Sequence, residues 1–241
     1  MRLRLAIALL LLATFSPAQK TLSPHDISKA RQRETVSAKS LSVPEKAREE
    51  LFKAVTAYSR HDAQASQHHL EASLRIAPDF AEAFSFRGFV EISANRFDAA
   101  MDDLQHSLRA DPALPITYLY MGSLLNHLGR YDEALASLDR NAQFDPRSWS
   151  CAYERARSWL GKHEYEHALV EINRAVALGA EARMGNALRI LRGNALYGLK
   201  QYDQATAELQ AYLSAEPDGK LASVARDLMS HIDRDAIVAE K

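Results

Sequence analysis

One interval of 34 residues recurs through most of this sequence. Pro78, Pro112 and Pro146 lie at that interval, and three further sets of residues share it. The sets are the small residues Gly88, Gly122 and Ala156, the alanines Ala100, Ala134 and Ala168, and the aromatic residues Phe97, Tyr131 and Tyr165. A recurrence of this length indicates stacked copies of one supersecondary unit, because each copy must bury its apolar surface against a neighbour.

Five copies can be aligned, and they cover residues 47–80, 81–114, 115–148, 149–182 and 186–219. The third copy carries the most complete set of shared residues, namely Tyr118, Met121, Gly122, Leu125, Gly129, Tyr131, Ala134, Leu138 and Pro146. This pattern resembles the tetratricopeptide repeat (TPR), whose unit is a pair of antiparallel helices. The resemblance implies an all-α solenoid, a superhelix of helix pairs, with residues 220–241 supplying a capping helix and tail.

The shared residues have mechanical roles in such a unit. A glycine in the first helix and an alanine in the second allow two backbones to approach closely. Gly129 and Asn95 lie where the first helix must end in a left-handed residue, a conformation that glycine and asparagine tolerate best. His61, His163 and Lys200 occupy the same place in the other copies and suit it less well.

Some copies depart from the repeat pattern. Ser66 replaces the expected alanine in the first copy, Arg87 and Glu91 replace apolar residues in the second, and Ala180 replaces a proline in the fourth. After the last copy, apolar residues at helical spacing from Leu221 to Ile232 predict a helix that covers the end of the array.

The segment before the repeats resembles a secretion signal followed by a leader. Arg2 and Arg4 precede an uncharged apolar run, and small residues then end the predicted signal peptide, residues 1–18. The polar, basic stretch 19–44 predicts a flexible leader. We therefore expect a periplasmic or secreted protein with no integral membrane segment after cleavage.

Charge and cysteine content exclude several classes of function. The chain has 30 basic and 31 acidic residues, and no basic face of the kind that nucleic-acid binding requires is evident. The single cysteine, Cys151, excludes multi-cysteine metal and redox motifs and is expected to be a small buried helix residue.

The segment 163–167, His-Glu-Tyr-Glu-His, fits the pattern by which zinc metalloproteases place two histidines one helical turn apart. In the repeat register, however, His163 aligns with the turn residue Gly129, whereas His167 lies at the start of the following helix. Two histidines separated by a turn would not converge on one metal ion. We therefore predict no catalytic residues, no metal and no cofactor.

The TPR resemblance also implies where a partner would bind. First helices of such arrays line the concave surface, and residues of this chain at the corresponding places are candidates for a groove. The candidates are Phe89, Ile92, Leu119, Ser123, Asn126, His127, Tyr153, Arg157, Asn194 and Tyr197. Of these, Tyr153, Arg157, Asn194 and Tyr197 are favoured, because aromatic, arginine and amide side chains suit contact sites.

The predicted function is a non-catalytic scaffold that binds a segment of another protein in this groove. Two alternatives remain open at the level of the sequence. One is a zinc-dependent hydrolase that uses segment 163–167, and the other is a structural array that assembles with copies of itself as a homo-oligomer.

Overall fold

A computed structural model of the chain describes residues 42–184 and 186–239. Within these ranges it contains twelve helices and no strand. The helices are α1 (Glu45–Ser59), α2 (Ala63–Ile76), α3 (Ala81–Ser93), α4 (Phe97–Ala110), α5 (Pro115–His127), α6 (Tyr131–Phe144), α7 (Trp149–Gly161), α8 (Tyr165–Ala177), α9 (Glu181–Met184), α10 (Ala187–Gly198), α11 (Tyr202–Ala215) and α12 (Ala222–Ala239). The predicted all-α class is confirmed.

The helices pack as consecutive pairs. Helices α1 and α2, α3 and α4, α7 and α8, and α10 and α11 form the most extensive helix contacts. Each pair is joined by a short turn, so its two helices run antiparallel. The described residues divide within α5 into two compact units, 42–124 and 125–239.

The turn inside each copy has the predicted left-handed residue. Gly129 has φ 72° and Asn95 has φ 57°. The less suitable residues adopt the same conformation, with φ 62° at His61, 63° at His163 and 60° at Lys200. The requirement comes from the repeat geometry, because it holds for side chains that ordinarily avoid this region.

Close approach of the paired helices explains the recurring glycine. A Cβ atom built on Gly88 would lie 2.8 Å from Cγ of Leu104 and 3.3 Å from the carbonyl oxygen of Ala100. Gly193 has the same relation to Leu209 on α11, at 3.0 Å. These contacts confirm the predicted role of a small residue in the first helix, since a larger one would overpack the pair.

The C-terminal helix is present as predicted but is longer than its apolar pattern. Helix α12 extends to Ala239, and Leu221, Val224, Ala225, Leu228 and Ile232 are buried in the same core cluster as residues of α10 and α11. The insertion before the fifth copy contains the single-turn helix α9, which the repeat pattern does not predict. The predicted signal peptide 1–18 and most of the leader 19–44 lie outside the described residues.

Three copies share an ion pair between their seventh and twenty-third residues. The pairs are Arg87 with Asp103, Arg155 with Glu171, and Arg192 with Glu208. The first of these explains why an arginine occupies an apolar place in the second copy. The third copy has Met121 and Ser137 at the two places, so both charged residues are absent from it together.

Candidate partner-binding surfaces

In the unit 42–124, four aromatic rings from three first helices form a cluster. Tyr58 belongs to α1, Phe86 and Phe89 to α3, and Tyr120 to α5. The Phe89 ring stacks on Tyr120 with centroids 4.9 Å apart and meets Tyr58 edge-on at 5.3 Å. Phe86 contacts both Tyr58 and Phe89 at 5.8 Å. We call this set the aromatic cluster.

The aromatic cluster is held in place but not enclosed. The Tyr58 hydroxyl donates a hydrogen bond of 2.8 Å to Oγ of Ser93, which orients the ring. All four rings are only half-buried, so each retains surface that solvent can reach. Half-buried aromatic rings of fixed orientation offer apolar contact area at a low cost in side-chain entropy.

Only Phe89 of the aromatic cluster was among the predicted groove residues. The other candidates in this unit, Ile92, Leu119 and Ser123, are buried. Phe86 and Tyr120 were missed because the sixth place, which they share, was not among the places assigned to the groove. Tyr58 lies at the twelfth place, which was assigned, but no candidate was named in the first copy. A search for aromatic residues at equal places in adjacent copies would have found Phe86 and Tyr120.

In the unit 125–239, first helices carry a buried polar network instead. Nη1 of Arg157 donates to Oε1 and Oε2 of Glu154 at 2.8 and 2.9 Å, and both side chains are almost fully buried. Nδ2 of Asn126 on α5 donates to Oε2 of Glu154 at 3.0 Å and to the Glu154 carbonyl oxygen at 2.9 Å. Oγ of Ser158 donates to Oδ1 of Asn126 at 2.7 Å, which ties α7 to α5.

Two further groove candidates border this network. Tyr153 is buried, and its ring centroid lies 6.0 Å from the Arg157 guanidinium carbon. His127 is half-buried at the end of α5. Burial, together with the positive charge of Arg157, lowers the pKa of His127 from 6.5 to about 3. In the folded protein, the His127 imidazole is therefore uncharged near neutral pH.

The last two candidates lie on α10. Asn194 is buried, whereas Tyr197 is half-buried and donates a 2.6 Å hydrogen bond from its hydroxyl to Oδ2 of Asp235 on α12. Burial and the neighbouring Asp235 carboxylate raise the pKa of Tyr197. Tyr197 thus fastens the capping helix α12 to the fifth copy.

Three of the four favoured groove candidates are buried. Tyr153, Arg157 and Asn194 were favoured because aromatic, arginine and amide side chains suit contact sites, yet all three are buried and Arg157 forms a buried ion pair. Their places in the repeat put them on first helices, but the neighbouring side chains of this chain cover them. Whether a partner contacts the predicted groove stays a prediction.

The zinc-like segment has the conformation that the repeat register predicts. His163 forms the left-handed turn, and its Nδ1 lies 2.9 Å from the Tyr165 hydroxyl. His167 is on α8, with its ring stacked on Trp159 at 4.8 Å. The two imidazoles are engaged by different aromatic residues, and no group of three or more potential metal ligands occurs among the described residues.

Cys151 is buried on α7 as predicted. Its Sγ donates to the carbonyl oxygen of Leu138 at 3.3 Å, and burial raises the pKa of its thiol to about 12. A thiol with so high a pKa forms little thiolate, so Cys151 is chemically inert at neutral pH.

The helix pairs, left-handed turns and glycine contacts define a tetratricopeptide-repeat fold. Among solved structures, a thermophilic TPR protein of Thermus thermophilus is similar at 16% identity and a TM-score of 0.60, over 79% of this chain and 99% of that one. A TPR protein of Parabacteroides merdae is similar at 15% identity and a TM-score of 0.59, over 81% and 77% of the two chains.

A third similar structure is YrrB, described as a TPR protein with an unusual peptide-binding site. It has 16% identity and a TM-score of 0.54, with 80% of this chain and all 100% of that chain covered. At these identities the likeness concerns the fold. Neither a protein-family model nor a curated protein sequence matches the chain. Within the described ranges, no helix is long and apolar enough to cross a membrane.

Proposed function

We propose that this protein is a non-catalytic scaffold that binds a segment of another protein on its first-helix surface. The observation that carries the proposal is the aromatic cluster, in which rings from three successive first helices contact one another while remaining partly accessible. Aromatic residues are enriched in the energetically dominant parts of protein interfaces. The fold supports the same conclusion, since its neighbour YrrB is described as having a peptide-binding site.

The cluster favours a segment with an apolar side chain. Its rings are aligned across adjacent copies, so a peptide lying over them would contact several helices at once. Phe89 is the central ring, because it contacts Tyr58, Phe86 and Tyr120. An apolar side chain placed against Phe89 would remove part of the exposed ring surface from water.

A photo-reactive phenylalanine analogue at position 89 should form a covalent adduct with the partner in cell-envelope extract. The adduct identifies the partner, whose affinity can then be measured directly. Phe89→Ala is expected to weaken that affinity by about 1 kcal/mol or more, because the partner's apolar side chain loses its contact with the central ring of the aromatic cluster.

Gln105, which is exposed on the second helix α4 of the same unit, provides the matched control. The same analogue at position 105 should give no adduct, and Gln105→Ala should bind normally. Helicity and thermal unfolding of both variants are measured in parallel. Adducts at position 105 but not at position 89 would place the binding surface on the second helices and refute the proposal.

We propose further that the protein acts in the periplasm or outside the cell. The support is the order of charged, apolar and small residues in the first 18 positions. N-terminal sequencing of the protein from its native envelope should then begin at Gln19. An intact Met1 on protein from the cytoplasmic fraction would show that export does not occur.

A further inference from the structure

A cavity of about 470 Å³ lies among α8, α10 and α11, on a surface that the proposed function does not use. Its charged lining consists of Arg189, Arg192 and Glu208. Its other polar lining is neutral and comes from Asn173, Gln201 and Gln204. Two guanidinium groups face one carboxylate, so the cavity has an excess of one positive charge.

The arginines use few of their donors on Glu208. Nη1 of Arg189 donates to Oε2 of Glu208 at 2.9 Å, and Nη1 of Arg192 donates to Oε1 at 3.1 Å. A guanidinium has five N–H donors. Nε of Arg192 is buried and has no hydrogen-bond partner among the described residues.

The equivalent pairs in other copies differ in this respect. In the second copy Nε and Nη2 of Arg87 engage both oxygens of Asp103, at 2.7 and 2.6 Å. In the fourth copy Nε of Arg155 donates to Glu171 at 2.7 Å. The fifth copy adds Arg189, which takes one oxygen of the shared acid, and Nε of Arg192 is left without the partner that the same atom has elsewhere.

From this geometry we infer that the cavity binds the carboxylate side chain of an acidic residue in a partner peptide. A carboxylate has two coplanar acceptors and matches the fork of donors that an arginine presents. The apolar side chains of Leu169, Leu196 and Ala207 also line the cavity and would contact the methylene groups of a glutamate. The volume lies within the range of about 300–1,000 Å³ that is usual for ligand sites.

The site is separate from the aromatic cluster. It includes residues of two second helices, α8 and α11, and its arginines occupy the fourth and seventh places of the fifth copy. Neither place was among those predicted for the groove. Binding here can therefore occur, or fail, independently of binding at Phe89.

The test is fluorescence anisotropy with the full chain and a short labelled peptide of alternating alanine and glutamate, blocked at both ends. The peptide should bind, and its glutamine counterpart should not. Arg192→Gln and Arg189→Gln should each weaken binding about tenfold, because each removes one of the two guanidinium groups that line the cavity. Glu208→Gln should strengthen binding several-fold, because it removes the carboxylate that competes for both arginines.

Arg155→Gln is the matched control, since it removes a charge from a neighbouring Arg–Glu pair whose Nε is already occupied. It should leave the affinity unchanged. An equal loss of affinity in Arg155→Gln and Arg192→Gln would mean that peptide binding depends only on the overall charge of the protein. That result would overturn the inference. Weaker binding by Glu208→Gln, with thermal unfolding unchanged, would overturn it as well.

Free glutarate, added as a competitor, distinguishes a small dicarboxylate from a peptide as the occupant. The inference expects displacement of the labelled peptide only at glutarate concentrations far above the peptide Kd, because the backbone of the peptide adds contacts outside the cavity. Displacement by glutarate at concentrations near the peptide Kd would overturn the assignment to a peptide side chain.

Discussion

Arg157→Met is expected to lower the free energy of unfolding by about 3–5 kcal/mol, since it leaves the carboxylate of Glu154 buried without its cation. Both side chains are almost inaccessible, and the two oxygens of Glu154 lie 2.8 and 2.9 Å from one guanidinium nitrogen. Water cannot hydrate the remaining Glu154 carboxylate unless the packing around α7 opens. Urea unfolding followed by circular dichroism measures the change.

The double variant Arg157→Met with Glu154→Gln separates the ion pair from ordinary packing. Removing both charges should restore part of the stability that the single change loses. A buried ion pair contributes less to the free energy of unfolding than is lost when one of its members stays buried without its partner. Equal losses for the single and double variants would show that Arg157 acts only through the volume of its side chain.

Lowering the pH from about 6.5 to 5 should destabilise the folded protein through His127. Its pKa is 6.5 in the unfolded chain and about 3 in the fold, so the unfolded state binds more protons throughout this window. Stability therefore falls as the pH falls, by at most about 1.4 kcal/mol per pH unit from this one group. Carboxylates of ordinary pKa stay ionised in the window and contribute little.

His127→Gln should flatten this pH dependence, because glutamine fills a similar space and takes up no proton. His167→Gln removes one histidine from an exposed site on α8 and serves as the matched control. The free energy of unfolding is measured at several pH values for each protein. A slope that persists in His127→Gln would assign the acid sensitivity to another group.

The sequence predicted the fold well because the repeat depends on local geometry. The packing of two antiparallel helices within one copy accounts for three features. They are the 34-residue interval, the left-handed turn at His163 and the contact between Gly193 and Leu209. Such constraints act within a single copy, so a residue's place in the copy is enough to state its role. The capping helix was predicted for the same reason, from its apolar spacing alone.

The candidate site was predicted less well because burial depends on neighbouring copies. A place in the repeat states which side of a helix a residue occupies, but the side chains that cover it differ from copy to copy. Arg157 and Phe89 occupy the same ninth place, yet the first lies in a buried network and the second is half-buried in the aromatic cluster. The pairing of Arg87 with Asp103 was missed because Arg87 was compared only with the residues at its own place in the other copies.

The ion pair within single copies also bears on how such a protein can be rearranged. Because the seventh and twenty-third residues belong to one copy, duplication, deletion or exchange of a whole copy moves both charges together. Arg155 is the exception, since it also binds Asp139 in the third copy. Moving the second copy to another position in the array should therefore lower the stability less than moving the fourth copy. The arginine of the fourth copy would lose its acidic partner from the preceding copy.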